Sequence, residues 1–134
     1  MAPKKVYTGI NIQFPISELI ISGKKKIETR TYPVPDKYLG QEMLLIETPG
    51  INGEFKSRIR AVIVFSSCFE YKDKAEFYKD VNKHCVTFDS AWAWDDSKGK
   101  WGWNVEVKEV FNSPLPLKKR TGIIYSINLS IERK

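Results

Sequence analysis

The apolar residues of this chain recur mainly in short stretches with a period of two, a spacing that is typical of β-strands. In residues 103–111, three apolar side chains alternate with polar ones: Trp103, Val105 and Val107. Residues 123–131 show the same alternation, which predicts one face for five apolar residues: Ile123, Tyr125, Ile127, Leu129 and Ile131. Four shorter stretches also favour strands: residues 6–12, 26–32, 42–48 and 60–65.

Only two stretches have helical spacing. The first, residues 16–20, lies between Pro15 and Gly23, which are residue types favoured at the start and the end of a helix. The second follows Asp73, a good N-cap residue, and its apolar residues lie three apart: Ala75, Tyr78 and Val81. The chain therefore has about six strands but few helices.

The order of these elements constrains the fold class. The strands do not alternate regularly with helices, which argues against a doubly wound parallel sheet. We expect an α+β or mostly β fold, in the form of a small, curled antiparallel β-barrel with two or more short helices. Turn residues at Gly50, Asn52 and Gly53 predict a turn or hairpin after residue 48, and residues 84–100 are expected to be mostly loop. Pro114 and Pro116 are expected to end the strand that begins near residue 103.

Length and charge limit the function classes. The chain has 134 residues, which favours a single domain over residues 1–134. Its 22 Lys and Arg residues exceed its 16 Asp and Glu residues, so the net charge is +6. A basic net charge favours a polyanionic partner, and nucleic acid is a better candidate than a membrane surface. A basic domain with no such partner is the alternative.

Cysteine and histidine are scarce. Cys68 and Cys85 are too few for a disulfide framework and lack the spacing of a metal site. His84 is the one histidine, and its neighbour Cys85 is interpreted as a core residue or a helix-end thiol. The sequence has no long apolar run and no signal-peptide pattern. We therefore expect a cytoplasmic protein with no metal, no cofactor and no obligate protein partner.

The octet GKKKIETR at residues 23–30 joins basic residues to a strand. Alternation places Lys26, Glu28 and Arg30 on one face, with Ile27 on the core side. A guanidinium can hold a carboxylate or a phosphate in a fixed fork geometry, so Glu28 and Arg30 form a candidate binding site. The alternative is a solvent-facing charged edge strand, in which lysines discourage aggregation.

The octet and its flanks resemble the ASCH family, a branch of the PUA-like β-barrels. The family motif GxKxxExR is matched by Gly23, Lys25, Glu28 and Arg30. The sequence QFP and a short apolar helix precede the motif, and YLGQEMLLIET follows it. The closing stretches WGWNVEVKEVFNSPLP and TGIIYSINL are also similar to those of the family. The resemblance runs from about residue 7 to residue 129.

This resemblance implies a PUA-like barrel whose cleft carries the motif and binds RNA or a modified nucleoside or nucleotide. It leaves open whether the protein is an enzyme. Some members of the family are proposed to cut RNA, so a metal-independent ribonuclease acting on single-stranded RNA is one alternative. A small branch is an amidohydrolase on N4-acylated cytidine. That branch has threonine where this chain has Glu28, which makes it the weaker alternative.

The candidate site residues follow from the motif. Lys25 and Arg30 are suited to phosphate, and Glu28 is suited to a base amino group, to general base catalysis or to anchoring the two cations. Strict alternation places Lys25 opposite Glu28, so Lys25 joins the site only from a turn before the strand. Tyr32 and Ser126 are candidate hydroxyl partners, although a serine at the position of Ser126 is more often a plain filler of a barrel wall.

Four tryptophans lie within residues 92–103. Trp103 alternates with polar residues and is expected in the core. Trp92, Trp94 and Trp101 are placed in loop, where an aromatic face can stack on an unpaired base. A lid of tryptophans over one end of the fold is the alternative.

Two further basic clusters accompany the motif. One consists of Lys118, Lys119 and Arg120, and the other of Lys56, Arg58 and Arg60. Each is typical of a solvated surface, and together with the motif lysines they would form a track for a phosphate backbone if the fold brought them to one side.

Overall fold

A computed structural model describes residues 4–50, 54–117 and 124–132 of the chain. Over these ranges the chain forms six strands: β1 (Lys4–Gln13), β2 (Ile27–Arg30), β3 (Glu42–Thr48), β4 (Arg58–Glu70), β5 (Trp101–Pro116) and β6 (Tyr125–Glu132). It also forms three short helices: α1 (Ile16–Ile21), α2 (Lys74–Lys79) and α3 (Val81–His84). The prediction of a mostly β fold with two or more short helices is confirmed.

The six strands form one sheet in the order β2-β5-β4-β3-β1-β6. β1 pairs with β3 in parallel, from Gly9 opposite Leu44 to Gln13 opposite Thr48. β1 pairs with β6, and β2 with β5, in antiparallel orientation. The expected antiparallel barrel is therefore wrong in two respects. The sheet is open, with β2 and β6 at its edges, and it contains a parallel pair.

The parallel pair follows from the path of the chain. Between β1 and β3 the chain passes through α1 and β2, and a crossover of this kind can bring a strand back in the direction of the first one. Alternation in a sequence shows that a stretch is extended. It does not show which strand lies beside it or whether the sheet closes, because both depend on residues far away in the chain.

The chain divides into two compact units. Unit 1 comprises Met1–Glu18, Glu42–Ile63 and Val107–Lys134, and unit 2 comprises Leu19–Gln41 and Val64–Glu106. The motif residues Lys25, Glu28 and Arg30 all belong to unit 2. The expectation that residues 1–134 form a single domain stays a prediction.

Unit 1 has a core of β-strand side chains. The buried members are Tyr7, Leu44, Ile46, Ile59, Val62, Leu129 and Ile131, and Phe111, Leu115 and Leu117 pack against them. The predicted strand at residues 42–48 coincides with β3, and five consecutive residues of that strand are buried. Burial on both faces explains why β3 is a continuous apolar run instead of an alternating one.

β6 departs from the predicted alternation. Tyr7 pairs with Leu129 but Gly9 pairs with Ser126, so β6 has one residue more than β1 between the two pairs. Asn128 lies in this irregularity with φ 57°, a conformation that asparagine tolerates better than most residues. As a result Ile127 is half exposed and Ser126 is buried, so the predicted common face of Ile127 and Leu129 is wrong. Ile123, the first residue of the predicted strand, lies outside the described residues.

Unit 2 has an aromatic core. Tyr71, Phe77 and Val86 are buried, with Phe69, Tyr78 and Trp94 packed against them. Asp73 caps α2 as predicted, since its side chain accepts a hydrogen bond from the backbone N–H of Glu76 at 2.9 Å. Gly23 follows α1 as predicted, with φ 83°, and its N–H donates to the carbonyl of Ile20 at 3.0 Å.

The structure does not fully confirm two local predictions, one for the end of β5 and one for the turn after β3. Pro114 and Pro116 were expected to end a strand, but β5 continues through Pro114 and ends only at Pro116. The φ angle of proline is compatible with an extended chain, and only the ladder bond from its missing N–H is lost. The predicted turn includes Asn52 and Gly53, which lie outside the described residues.

Candidate functional site

Glu28 is the centre of the motif. Its side chain is 8% exposed, and both carboxylate oxygens have partners. Oε2 accepts hydrogen bonds from Nε and Nη2 of Arg30 at 3.2 and 3.0 Å, and Oε1 accepts one from the backbone N–H of Thr29 at 3.2 Å. The alternative of a solvent-facing charged strand is therefore wrong for Glu28. This geometry favours an anchor for cations.

Lys25 reaches Glu28 from the turn between α1 and β2. The strand begins at Ile27, so Lys25 does not follow the alternation of β2. The prediction that Lys25 joins the site from a turn before the strand is confirmed. Its Nζ lies 3.7 Å from Oε1 of Glu28 and donates to the carbonyl of His84. The Lys25 side chain is only 3% exposed. Burial lowers the pKa of Lys25, and the charge of Glu28 offsets part of that effect.

Arg30 is the most exposed of the three motif side chains, at 18%. Its Nη1 donates to the hydroxyl of Tyr32 at 3.2 Å, and its guanidinium lies 5.5 Å from the ring of Trp103. The indole N–H of Trp103 in turn donates to the carbonyl of Tyr32 at 2.9 Å. Burial alone would lower the pKa of Arg30, but Glu28 and Tyr32 raise it. The guanidinium is thus held in one orientation.

His84 ends α3 and supports Lys25 through its backbone. Its ring is buried and stacks on Phe77, with centroids 4.1 Å apart. The N–H of Val86 donates to Nδ1 at 2.9 Å, so Nδ1 is an acceptor and the ring proton is on Nε2, which donates to the carbonyl of Phe77 at 2.7 Å. Burial lowers the pKa of His84. No sequence pattern predicts this role, because the contacts come from chain segments that are distant from Lys25.

The cysteines are free thiols. Cys85 is the C-cap residue of α3, with φ 62°, which confirms the interpretation as a helix-end thiol. In the described ranges 4–50, 54–117 and 124–132, no group of three or more His, Cys, Asp or Glu side chains is placed to hold a metal ion.

The four tryptophans have different environments. Trp103 is in the core, as predicted. Trp101 is the first residue of β5 and pairs with Arg30, so its placement in loop is corrected. Trp94 packs against Phe77, and its indole N–H donates to Asp96 at 2.6 Å. Trp92 is 48% exposed in the loop that precedes β5.

Two residues near these elements carry chemistry that the sequence analysis missed. Phe88 is a second exposed aromatic residue in the loop with Trp92. Lys100 is a buried lysine immediately before β5, at 8% exposure, and burial lowers its pKa. Periodicity offered no signal for either one, because both lie in loop.

Ser126 and the cluster of Lys56, Arg58 and Arg60 belong to unit 1, whereas the motif residues belong to unit 2. Ser126 is buried on β6, and its catalytic role stays a prediction. Arg58 and Arg60 lie on β4 and bind the fully buried Glu47 at 2.8 Å each, so they are not a solvated loop. Lys118, Lys119 and Arg120 lie outside the described residues, so a track that includes them stays a prediction.

Glu47 organises this second network. Its oxygens also accept a hydrogen bond from Ser17 at 2.6 Å, and Arg60 contacts Glu18 as well. Burial alone would raise the pKa of Glu47, but the hydrogen bonds from Ser17, Arg58 and Arg60 outweigh burial and lower the pKa. The network joins the start of α1 to β3 and β4, which is a structural role.

No helix in the described part of the chain has the length and apolar character needed to cross a membrane.

Comparisons with known proteins bear on the fold. No protein-family model matches the sequence, and no curated protein matches it either. Among solved structures, the chain is similar to the crystal structure of ASCH from Zymomonas mobilis, with a TM-score of 0.61 and 14% sequence identity. The match covers 83% of this chain and 73% of that one. The likeness shows an ASCH-like fold, which confirms the resemblance at that level.

Proposed function

We propose that this ASCH-like domain binds single-stranded RNA or a modified nucleotide at the motif cluster, defined as Lys25, Glu28, Arg30 and Tyr32. The observation that carries the proposal is the fixed guanidinium of Arg30. Two of its nitrogens are bonded to the buried Glu28, a third is bonded to Tyr32, and Arg30 has the most exposed side chain of the ion-pair group. A preorganised cation loses little conformational freedom when an anion binds.

The other members of the cluster support Arg30 in different ways. Lys25 is too buried to meet a phosphate at the surface, so its role is to hold Glu28 and the carbonyl of His84. It is therefore a positioning residue. Glu28 offers acceptor oxygens for the amino group of a base, as carboxylates do with cytosine. Two cations and one carboxylate leave the cluster with one positive charge, which favours an anionic ligand.

Trp92 is the tryptophan best placed to stack on an unpaired base. Trp94 and Trp103 are engaged by Asp96 and by Tyr32, and Trp101 is part of β5. Half of the Trp92 side chain is exposed. An aromatic stack contributes about 1–3 kcal/mol per base and tolerates any base identity.

A metal-independent ribonuclease acting on single-stranded RNA is the second candidate. The observation that favours it is the Lys25 amine, whose pKa is lowered by burial and which lies 3.7 Å from the carboxylate of Glu28. An amine with a lowered pKa exchanges protons closer to neutral pH, which suits general acid–base catalysis. An amidohydrolase on N4-acylated cytidine has less support, because Glu28 occupies the position of the threonine in that branch.

The test compares Arg30→Gln with Lys26→Gln, since each variant removes one positive charge and Lys26 is exposed. Short single-stranded RNA is incubated with each protein, with and without a chelator, and analysed both by gel shift and for cleavage products. We expect Arg30→Gln to weaken binding about tenfold or more, equivalent to about 1.4 kcal/mol, and Lys26→Gln to change it about twofold. Equal losses in the two variants would indicate only nonspecific attraction to charge.

Cleavage products decide between the two candidates. Cleavage that survives the chelator and disappears in Lys25→Ala would support the ribonuclease. Retained intact RNA in every sample would support binding alone. Thermal unfolding of each variant checks that a loss of binding does not come from a loss of fold.

A further inference from the structure

One buried carboxylate in unit 1 holds two arginines side by side. Glu47 is fully buried, and its Oε1 accepts hydrogen bonds from Nε of Arg58 at 2.8 Å and from Nη1 of Arg60 at 2.9 Å. Its Oε2 accepts hydrogen bonds from Ser17 and from the same nitrogen of Arg60. Because both arginines bond to one oxygen atom, their guanidinium groups lie next to each other.

An aromatic ring fixes the guanidinium of Arg58 from a second side. The guanidinium carbon lies 4.0 Å from the ring centroid of Phe55, and Phe55 packs edge-on against Phe14 with centroids 5.6 Å apart. The negative face of an aromatic ring attracts a cation placed over it. Arg58 therefore loses little conformational freedom when a ligand binds to its remaining nitrogens.

The nitrogens that Glu47 does not use are available to a ligand. Nη1 and Nη2 of Arg58, and Nε and Nη2 of Arg60, make no hydrogen bond to any residue that the structure describes. Solvent reaches them, since the side chains of Arg58 and Arg60 are 32% and 14% exposed. The free donors of an ordinary surface arginine are mobile, whereas these two guanidinium groups are fixed side by side.

An internal anion already contacts one of the two arginines. One oxygen of the half-exposed Glu18 carboxylate contacts Nη1 of Arg60, the nitrogen that also binds Glu47. A surface ion pair of this kind contributes about 0–1 kcal/mol, so a ligand anion can displace Glu18 at little cost. Once Glu18 is displaced, the two arginines and Glu47 together carry one positive charge, which favours an anion.

We propose that Arg58 and Arg60 form an anion site in unit 1 that binds a phosphate group, and that the phosphate displaces Glu18. A guanidinium donates two parallel hydrogen bonds to an anion, and a phosphate has enough oxygens to accept from both arginines, whereas a carboxylate has only two oxygens. The site contains no residue of the motif cluster and is independent of the function proposed above.

The probes are inorganic phosphate, dimethyl phosphate and acetate, each titrated at constant ionic strength. Dimethyl phosphate has the diester of an RNA backbone without a base, and acetate is the carboxylate control. NMR signals of the backbone amides of residues 58–60 report binding at the site itself. Thermal unfolding of each protein checks the fold.

The variants are Glu18→Gln, which neutralises the internal anion, and Arg58→Gln, which removes one of the two forks. Their controls are Glu42→Gln and Lys5→Gln, because Lys5 and Glu42 form another exposed ion pair of unit 1. Glu18 and Glu42 are matched, since both side chains are 46% exposed. Glu18→Gln also tests the site if Arg58→Gln does not fold.

We expect a saturable shift with phosphate but not with acetate. Glu18→Gln should bind phosphate about threefold more tightly, because it loses a competing surface ion pair. Arg58→Gln should bind it about tenfold more weakly, and the two control variants should change the affinity by less than about twofold.

Two results would overturn the proposal: no saturable shift with phosphate in either wild type or Glu18→Gln, or acetate binding as tight as phosphate binding. Equal gains in Glu18→Gln and Glu42→Gln would also contradict it, because they would reflect only the net charge of the protein. If the site is confirmed, dimethyl phosphate identifies the source of the phosphate. Binding of dimethyl phosphate assigns the site to a backbone diester, and binding of inorganic phosphate alone assigns it to a terminal phosphate.

Discussion

The ammonium of Lys25 lies 3.7 Å from Oε1 of Glu28, although residues three apart in a continuous strand have their side chains on opposite faces. The contact exists because β2 begins only at Ile27, so Lys25 lies in the turn that follows Gly23. A turn before a strand thus brings a lysine to a carboxylate that strand periodicity places out of reach.

Glu28→Gln should destabilise the fold. The substitution removes the negative charge that pairs with the buried Lys25 and with Arg30, and removing one partner of a buried ion pair costs about 3–5 kcal/mol. Urea unfolding measures the change, with Glu70→Gln, an exposed carboxylate in the same unit, as the control. A loss below about 1 kcal/mol would mean that the ion pairs contribute little to stability.

His84 should make stability depend on pH. Its pKa is lowered in the folded state, so the unfolded chain binds a proton that the folded protein does not. Stability is therefore complete above the unfolded pKa of about 6.5 and falls as the pH decreases from there toward the folded pKa, by at most about 1.4 kcal/mol per pH unit.

Unfolding free energies between about pH 6.5 and pH 5 measure this dependence, above the range in which most carboxylates titrate. His84→Gln is the comparison, because an amide retains a donor for Phe77 and an acceptor for Val86 but does not titrate. We expect the unfolding free energy to depend less steeply on pH in His84→Gln than in the wild type. An equal pH dependence of the unfolding free energy in the two proteins would assign that dependence to other groups.

Ser17→Ala should destabilise unit 1 through Glu47. The Ser17 hydroxyl donates to the fully buried carboxylate at 2.6 Å, and hydrogen bonds to charged groups contribute about 1.5–3 kcal/mol. Ser22→Ala is the control, since the Ser22 hydroxyl is exposed and bonds to the carbonyl of Leu19 instead of a buried charge. Chemical denaturation should show the larger loss for Ser17→Ala, and similar losses would mean that Arg58 and Arg60 suffice to hold Glu47.

Trp92→Ala should weaken RNA binding if Trp92 stacks on a base. The expected loss is about 1–3 kcal/mol for one stacked base, with little change in stability because the side chain is half exposed. Phe88→Ala, measured by the same fluorescence or gel-shift titration, shows whether the second exposed aromatic of the loop takes part. Unchanged affinity in the Trp92 variant would assign the loop another role.

Local chemistry in the sequence predicted several elements and most of the motif. Asp73 caps α2 and Gly23 follows α1, because a capping hydrogen bond and a positive φ depend on a few adjacent residues. The apolar run of β3 and the core position of Trp103 also follow from local patterns. The octet identified Lys25, Glu28 and Arg30, which the structure brings together in unit 2.

Tertiary structure alone decided the features that depend on distant residues. The open sheet and its parallel pair of β1 and β3 depend on which strands lie side by side, and alternation carries no information about partners. The irregularity at Asn128 turns Ile127 toward solvent, a change that appears only when β6 is paired with β1. Lys100 looks like any loop lysine in the sequence. Its burial arises from packing, because the exposure of a side chain is set by the chain segments that cover it.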